Sequence, residues 1–456
     1  MDKPVKRIDR DAEDASVLPQ EHPYYDARNP VLLTDIVEGL LEGRRIFLSG
    51  GAGTGKTTLV RTIANEIAGR GREVILAAST GIAACQLRDE TGLRDSPYIR
   101  GPGTLHSAAH LPRAEMPDSE RRVKYGTHKL RKAAVIIIDE ISMVDRVTFE
   151  RFLNRVRLGT GILAVGDFFQ LPPVPRDEEG QPNFAFNSPD FHQFELIDLQ
   201  TVLRQAEPHF VAFLKNLRHG RVDQAVLAGA ARQFNPDFPV LFGTNRQADR
   251  HNQRCIGAID SPAVFSSCQV KKGDPDEAAR WLETQTRAKA QLEIKKDMRV
   301  LCIQNHDELV NGDLGTVTEI GEAPDEGIEM PAWIDVAFDR EGVGKRRLFA
   351  YDFEGRIWNS RQNKEDVKFA VRQYPIMPAY ALTVHKAQGL TLDVVNIDGS
   401  HVNFVPGHVY VALSRARTLD GVRLRNPQGF DAFYDPNVLL YYQRAEPFCE
   451  PDRTFP

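Results

Sequence analysis

The sequence predicts an α/β protein with more than one domain, and three observations support this fold class. Strand-like and helix-like runs alternate through residues 31–205, which indicates a parallel sheet covered by helices. The stretch RIFLSGGAGTGKTTLV, residues 45–60, has the order of a strand, a glycine-rich loop and a helix start. A block of short β-type runs, residues 291–372, then separates two αβ blocks in the C-terminal half.

Length and composition indicate a folded, multidomain protein. The 456 residues correspond to about three domains of ordinary size. Hydrophobic residues make up 41% and charged residues 27%, as in globular proteins. The net charge of -5 provides no global attraction to nucleic acid, so such a partner has to be recognised by local features. The five cysteines are widely spaced, which excludes a close-spaced zinc or iron–sulfur motif and predicts reduced thiols.

No part of the sequence predicts a membrane segment. The run AAVIII, residues 133–138, is too short to cross a bilayer. The charged N-terminus also lacks the apolar stretch of a secretory signal. We therefore expect a cytoplasmic protein with no membrane partner.

The order of the elements predicts four regions. Residues 1–30 are expected to form a flexible lead-in. The first αβ domain, residues 31–205, contains a helix at VLLTDIVEGLLEG, strands at 45–49, 73–78, 134–138 and 162–165, a helix at 57–69, and a basic insertion at 108–132. A second αβ domain is expected from residues 206–290 and 373–456, and it is interrupted by a small antiparallel β-barrel at 291–372.

The glycine-rich loop predicts a phosphate-binding site. From Gly50 to Thr57 it fits the P-loop pattern, in which backbone N–H groups surround a phosphate at a helix N-terminus. Lys56 would reach the outer phosphates and Thr57 would bind Mg²⁺. A glycine-rich turn that only starts a helix is the alternative, but the flanking strand and helix favour the P-loop. The expected nucleotide contacts are Gly51, Ala52, Gly53, Thr54, Gly55, Lys56, Thr57 and Thr58.

Polar residues follow two further buried strands. The run AAVIIIDEISM places Asp139 and Glu140 at the carboxyl end of a strand, where open parallel sheets bind ligands. Asp139 would hold hydrated Mg²⁺, and Glu140 would orient or deprotonate a water molecule. Gln170 follows the next strand and is expected to contact the γ-phosphate. An isolated acidic pair or glutamine would usually be an ordinary loop residue, but the P-loop context favours ATP hydrolysis.

Several longer strings resemble the Pif1 (petite integration frequency) DNA helicases of superfamily one, with the bacterial RecD proteins as related members. The similar strings span nearly all of the chain after residue 31, and they are ASTGIAA, TLHS, IIDEISM, GDFFQLPPV, LRQ, ELVNGDLGTV, AYALTVHKAQGLTLD and VYVALSRART. The resemblance implies two RecA-like P-loop NTPase domains, a wedge insertion at 108–132 and a Src-homology-type barrel at 291–372. It also implies an ATP- and Mg²⁺-dependent enzyme that moves five-prime to three-prime on single-stranded DNA, unwinds forked or structured DNA, and acts as a monomer at the bacterial nucleoid.

The resemblance assigns further residues. Arg204 and Arg415 match the family's arginine fingers, and Gly389 matches a glycine that approaches the nucleotide or the strand. The positions that match contacts to the DNA backbone are Thr80, Gly81, His106, Ser107, Thr244, Asn245, Thr383 and His385. Each of these polar residues, taken alone, would more often be a helix cap or a turn residue.

Two departures and two alternatives accompany this interpretation. The helix before the P-loop lacks the family's adenine-reading glutamine, with Thr34 near the expected place, and the stretch from Asp145 to Gly166 is shorter than in eukaryotic members. Phosphate contacts alone also permit an RNA or RNA–DNA hybrid helicase. A nucleotide-switched DNA-binding protein that does not translocate is the alternative from another class.

Overall fold

The computed structural model describes residues 25–80, 83–84, 87, 96–109, 130, 132–174, 181–305, 308–322, 329–359, 364–400, 405–430 and 433–448. Two parallel sheets and a set of antiparallel strands form the structure, which confirms the predicted α/β fold class. In this part of the chain, no helix is both long and apolar enough to cross a membrane. Most of the predicted lead-in and of the wedge insertion at 108–132 lies outside the described residues.

The first parallel sheet has six strands in the order β3-β2-β4-β5-β1-β6. They are β1 Arg45–Gly50, β2 Val74–Ala78, β3 Ile99–Thr104, β4 Val135–Asp139, β5 Gly161–Val165 and β6 Glu195–Leu199. Every residue of β2, β4 and β5 is buried, as expected for strands covered on both faces. The predicted strands at 45–49, 73–78, 134–138 and 162–165 agree with β1, β2, β4 and β5 to within one residue at each end.

Helices cover both faces of this sheet. They are α1 Pro30–Leu41, α2 Lys56–Gly69, α3 Leu105–Ala108 and α4 Arg146–Leu153. Helix α1 begins where the Asn29 side chain accepts the N–H of Val31 at 2.9 Å, with Pro30 in the first turn. Leu48 faces a cluster with α1 and α2, whereas Phe47 faces an aromatic cluster with α4. Because successive side chains of β1 point to opposite faces of the sheet, this strand contributes to the core on both faces.

The second sheet begins with β7 Val240–Phe242 and is interrupted by antiparallel strands. The helices of this part are α5 Pro208–Arg218, α6 Gln224–Gly229, α7 Asn245–Gly257 and α8 Pro275–Gln285. The interrupting strands are β8 Val264–Ser267, β9 Gln269–Lys272, β10 Gln291–Ile294, β11 Arg299–Cys302, β12 Leu314–Ile320, β13 Ile334–Phe338, β14 Gly344–Leu348, β15 Tyr351–Asn359, β16 Lys364–Gln373 and β17 Ile376–Pro378.

These strands form three antiparallel sheets, in the orders β14-β13-β12-β11-β17, β15-β16-β9 and β10-β8. We call residues 264–378 the β insertion. Two of these strands, β8 and β9, lie before the predicted start of the barrel at residue 291, and they pair with β10 and β16 across long sequence separations. Such pairing leaves no local pattern in VFSSCQVKK, residues 264–272. Closure of the strands into one barrel stays a prediction.

The second sheet is completed by β18 Ala381–Thr383, β19 Val395–Asp398 and β20 Val422–Arg425, in the parallel order β18-β7-β19-β20. The remaining helices are α9 Val384–Ala387, α10 His408–Leu413 and α11 Pro436–Arg444. Phe210 and Leu214 of α5 share one core with Leu241, Ile397 and Val411. Helices α5 and α10 therefore cover one side of this sheet.

Helix α11 lies in the range predicted for the second domain, 373–456, and it packs on the first sheet. Tyr441 lies 6.0 Å from Phe47 and 5.6 Å from Phe168, measured between ring centroids. Beyond the helix, Pro447 pairs with Leu196 of β6. The physical reason is burial, because the two tyrosines of α11 fill the aromatic face of the first sheet.

Candidate functional site

The P-loop connects β1 to α2. Gly53 and Gly55 have φ angles of 79° and 87°, a left-handed conformation that favours glycine. A Cβ atom at Gly53 would lie 2.6 Å from the Cβ of Arg204, so the loop and the LRQ segment are in close contact. Within the described residues, no side chain caps the N-terminus of α2. This conformation fits a phosphate, which backbone N–H groups at a helix N-terminus can bind.

Lys56 and the loop amides are engaged by neighbouring groups. The Nζ of Lys56 donates to the carbonyl oxygens of Gly50 at 2.7 Å and Gly51 at 3.0 Å. The N–H of Ala52 donates to the hydroxyl of Tyr410, on α10, at 2.7 Å. Burial lowers the pKa of Lys56, and the nearby carboxylates of Asp167 and Glu140 oppose that effect. A residue of the second domain therefore lies directly against the phosphate loop.

Asp139 and Glu140 follow β4 at the carboxyl edge of the sheet. Glu140 has a φ of 53°, which is uncommon for a residue with a side chain and is a form of backbone strain found at functional sites. Its N–H donates to Oδ1 of Asp139 at 2.9 Å. Burial and the charge of Asp139 raise the pKa of Glu140 to about 7, although Lys56 and Arg415 lower it. A carboxyl group with this pKa can accept a proton near neutral pH.

Gln170 lies in the loop after β5 and contacts both domains. Its Nε2 donates to Oδ2 of Asp167 at 3.3 Å. Gly407, just before α10, packs so closely on this loop that a Cβ would lie 2.4 Å from the carbonyl oxygen of Gln170. The loop that carries Gln170 is therefore part of the domain interface.

The two arginines predicted as fingers lie close enough for their charges to interact. The N–H of Arg204 donates to the Gly53 carbonyl at 3.2 Å. Arg415 is 2% exposed, and its guanidinium donates to Val411 O, Leu390 O and Ser414 Oγ. Burial and the charge of Arg204 lower the pKa of Arg415 to about 9. Two cations this close are stabilised by an anion between them.

Sequence reasoning missed Arg218. Its guanidinium donates to Asp167 at 3.0 and 3.1 Å and to Asp198 at 3.2 Å, and it lies 5.0 Å from the centre of the Phe169 ring. Burial lowers its pKa, but the two carboxylates outweigh that effect and hold the pKa well above the ordinary value. One signal was present in the sequence, because Arg218 continues the spacing of Phe210 and Leu214 on the apolar face of α5.

Gln388 was also missed as a site residue, although it lies in the HKAQG stretch. Its Nε2 donates to Oε2 of Glu140 at 3.0 Å, and the residue is 6% exposed. Gly389 follows with a φ of 82°. The second domain therefore contacts the acidic residue after β4 directly.

The residues that resemble DNA contacts follow the carboxyl ends of strands in both sheets. Thr80 follows β2, His106 lies in α3 after β3, Thr244 and Asn245 follow β7, Thr383 is the last residue of β18, and His385 lies in α9 after it. Thr244 and Thr383 also cap α7 and α9, since their hydroxyls accept N–H groups at 3.4 and 3.2 Å. Thr244 and Asn245 are exposed, whereas Thr383 is 3% exposed. Gly81 and the side chain of Ser107 lie outside the described residues.

Comparison with known proteins identifies the family. Residues 34–234 match the model described as an AAA domain. The chain is 32% identical over 436 residues to the ATP-dependent DNA helicase Pif1 of Bdellovibrio bacteriovorus, covering 89% of this chain and 90% of that one. A crystal structure of Bacteroides sp Pif1 in complex with ADP-AlF4 is 25% identical, with a TM-score of 0.69 and coverage of 91% and 96%. A crystal structure of Bacteroides Pif1 bound to ssDNA is also 25% identical, with a TM-score of 0.60 and the same coverage. The extent of these matches shows that the chain belongs to the Pif1 family of ATP-dependent DNA helicases.

Proposed function

We propose that this Pif1-family helicase hydrolyses ATP in the cleft between its two parallel sheets and uses each cycle to move along single-stranded DNA. The observation that supports this most directly is the set of charges around Glu140. This carboxyl group interacts with Lys56 from the P-loop and with Arg415 from the second domain. Hydrolysis at a domain interface needs this combination, because the cations then approach or leave the γ-phosphate as the domains move.

The P-loop residues are proposed to hold the nucleotide. The left-handed glycines let the loop amides face the phosphates, and Lys56 would exchange its two carbonyl partners for phosphate oxygens. The proposed nucleotide contacts are Gly51, Ala52, Gly53, Thr54, Gly55, Lys56, Thr57, Thr58 and Gly389.

Thr57 and Asp139 would hold Mg²⁺. A hydroxyl and a carboxylate are the hard oxygen donors that this ion prefers, so the donor set fits. The ion would neutralise phosphate charge when bound.

The hydrolytic step is proposed to use Glu140 as the base. Its carboxylate takes a proton from water as the water oxygen bonds to the γ-phosphorus, and the bond from that phosphorus to the bridging oxygen breaks to release ADP. Gln170 would orient the water, while Arg204 and Arg415 would stabilise charge on the transferred group. Removal of one such stabilising donor typically costs about a hundredfold to a thousandfold in rate.

The strand is proposed to cross the carboxyl edges of both sheets. Thr80, Gly81, His106, Ser107, Thr244, Asn245, Thr383 and His385 would contact its phosphates and sugars, which positions a strand without reading its bases. We expect DNA affinity to fall with salt at a slope of about -0.7 for each phosphate contact.

The ATPase assignment is tested with Lys56→Ala and Glu140→Gln. Both are expected to lose DNA-stimulated ATPase by at least about a hundredfold, and Glu140→Gln should still bind nucleotide in a fluorescence titration. Glu150→Gln is the matched control, because Glu150 pairs with Arg146 of the same helix at 2.7 Å. Hydrolysis by either site variant at the control's rate would refute the assignment.

Translocation and polarity are tested by strand displacement. We expect unwinding of a duplex with a five-prime tail, with ATP, and none with only a three-prime tail. Matched RNA oligonucleotides should stimulate the ATPase less than DNA, and displacement without ATP turnover would instead support a nucleotide-switched binding protein. One chain is proposed to suffice, so sedimentation should show a monomer and the specific ATPase activity should not change with protein concentration.

A further inference from the structure

The Glu140 carboxylate accepts a hydrogen bond from a side chain of the second domain. The amide of Gln388 donates to Oε2 of Glu140 at 3.0 Å, and Gln388 is almost fully buried. On the first-domain side, Glu140 has a strained backbone, the Asp139 carboxylate repels it, and the charge of Lys56 attracts it without a hydrogen bond between these two described residues. The orientation of the Glu140 carboxylate therefore depends strongly on the position of Gln388.

The position of Gln388 depends in turn on the β insertion. Arg287, which is 5% exposed, donates from Nη2 to the carbonyl oxygen of Gln388 at 3.4 Å. Its Nη1 donates to Oδ1 of Asn311 at 2.9 Å. Asn311 lies in the turn between β11 and β12. We call this series of hydrogen bonds, from Asn311 through Arg287 and Gln388 to Glu140, the Gln388 relay.

Gln388 is joined to the predicted strand contacts through one short helix. Helix α9 is only one turn long, it begins with the Thr383 cap, and Gln388 is its C-cap residue. The N–H of Gln388 donates to the carbonyl oxygen of His385 at 3.2 Å. A displacement of His385 by a bound strand would therefore shift Gln388 as well.

Arg287 holds two parts of the second domain together. Its guanidinium donates both to Asn311 in the turn between β11 and β12 and to the carbonyl oxygen of Gln388, so it fixes the backbone beside the side chain that reaches Glu140.

We propose that Gln388 is the positioning residue for Glu140, and that the Gln388 relay transmits strand binding and the placement of the β insertion to the ATP site. This inference rests on the proposed function, in which Glu140 is the base and His385 contacts the strand. DNA then stimulates the ATPase because a bound strand fixes the position of the relay, and the relay orients the Glu140 carboxylate toward the attacking water. Without the hydrogen bond from Gln388, the Glu140 side chain would sample several rotamers and would be correctly oriented for only a fraction of the time.

The test is steady-state ATPase of Gln388→Leu and Gln388→Glu, with and without saturating single-stranded DNA. Gln388→Leu keeps the approximate volume and removes the donor, and Gln388→Glu places a second carboxylate against Glu140. We expect kcat with DNA to fall about tenfold or more in Gln388→Leu and further in Gln388→Glu. The rate without DNA should fall less, so the stimulation ratio shrinks, while KM for ATP and the affinity for a fluorescent ADP analogue stay within about twofold.

Gln373→Leu is the matched control. Gln373 is also a fully buried glutamine, but its amide donates to backbone oxygens of Ser266, Lys289 and Ala290 within the β insertion. It should lower thermal stability without changing the stimulation ratio. Asn311→Ala, at the more exposed end of the relay, should reduce stimulation in the same direction as Gln388→Leu and by less. Asn311→Ala therefore still tests the relay if Gln388→Leu does not fold.

Three results would overturn the inference: a wild-type kcat with DNA in folded Gln388→Leu, an equal loss with and without DNA, or the same loss in Gln373→Leu. Glu140→Gln in the same experiment distinguishes a failure of the proposed base from a failure of the relay. Hydrolysis by Glu140→Gln would refute the assignment of the base, whereas an unaffected Gln388→Leu beside an inactive Glu140→Gln would refute the relay alone.

Discussion

Replacement of Arg218 by methionine should destabilise the first domain strongly. Arg218 is the partner of two carboxylates, and the side chain of Asp167 is 0% exposed while that of Asp198 is 24% exposed. Methionine keeps much of the volume against Phe169 but removes the charge. Among the described residues, Asp167 would then be a buried anion with no cation in comparable contact, because the Nζ of Lys56 is already held by two carbonyl oxygens.

The expected magnitude follows from this burial. Breaking a buried ion pair by removing one partner costs about 3–5 kcal/mol. For a domain of about 150–250 residues, 1 kcal/mol lowers the thermal midpoint by about 2–4 °C, so the shift should be roughly 6–20 °C. The pair of Arg232 and Asp420 has a similar length, 2.8 Å, but its side chains are 41% and 82% exposed. Arg232→Met should therefore cost at most about 1 kcal/mol.

The assay is thermal unfolding followed by circular dichroism, without nucleotide or DNA. The variants are Arg218→Met, the control Arg232→Met, and the double variant Arg218→Met with Asp167→Asn. Since the double variant removes the buried charge, it should recover more than half of the lost midpoint. The reasoning is refuted if Arg218→Met shifts the midpoint no more than the control, or if the double variant is at least as unstable as Arg218→Met.

Three further predictions concern pH, the domain interface and α11. Burial lowers the pKa of His219 to about 4, below its ordinary 6.5, so the unfolded chain takes up the proton first. Stability should fall by about 3 kcal/mol as the pH drops from 6.5 to 4; urea unfolding should show a smaller fall for His219→Phe, and an equal fall would contradict the pKa. In Gly407→Ala, the new Cβ would lie 2.4 Å from the carbonyl oxygen of Gln170, and the residue would have a φ of 80°, which disfavours alanine. The interface between the two domains should therefore open, and limited proteolysis should detect the newly exposed segments. Gly69→Ala has no atom within 4 Å of its Cβ and should leave the cleavage pattern unchanged. Tyr442→Phe loses a 2.6 Å hydrogen bond to a serine of β1 and should cost about 1 kcal/mol in thermal unfolding. Tyr441→Phe should be neutral, because among the described residues no partner lies within hydrogen-bonding distance of that hydroxyl, and equal losses in the two variants would contradict the assignment.

Much of the first domain could be predicted because its signals are local. Four of its strands are short apolar runs between turns, and each carries its polar residue at its carboxyl end. The P-loop, Asp139, Glu140 and Gln170 could therefore be predicted as site residues from the glycine-rich pattern and from their positions at the ends of strands. Strand β3 was missed because IRGPGT contains two glycines and a proline and is only partly buried. β6 was missed as well, although Ile197 and Leu199 of ELIDL are buried.

The remaining features depend on contacts between distant residues. Arg218 meets Asp167 across 51 positions of sequence, and Gln388 meets Glu140 across 248. A single sequence does not show which carboxylate a given arginine will pair with in the folded protein. Thr244 and Thr383 show the converse case, because each was expected to contact DNA and each also caps a helix. The cap explains the residue type locally without excluding the strand contact.

The position of α11 has a consequence for how the chain reaches its folded state. The first sheet and its inner helices are synthesised early, yet the aromatic face around Phe47 and Phe168 is covered by tyrosines from α11, which emerge from the ribosome only after the second sheet is complete. Domains made N-terminal first usually fold as they emerge. In this protein, the aromatic surface of the first domain is expected to stay exposed until α11 has been synthesised. A fragment that ends at residue 205 should therefore aggregate when it is expressed alone. The first domain is expected to need α11 in order to fold, both during synthesis and in a shortened protein.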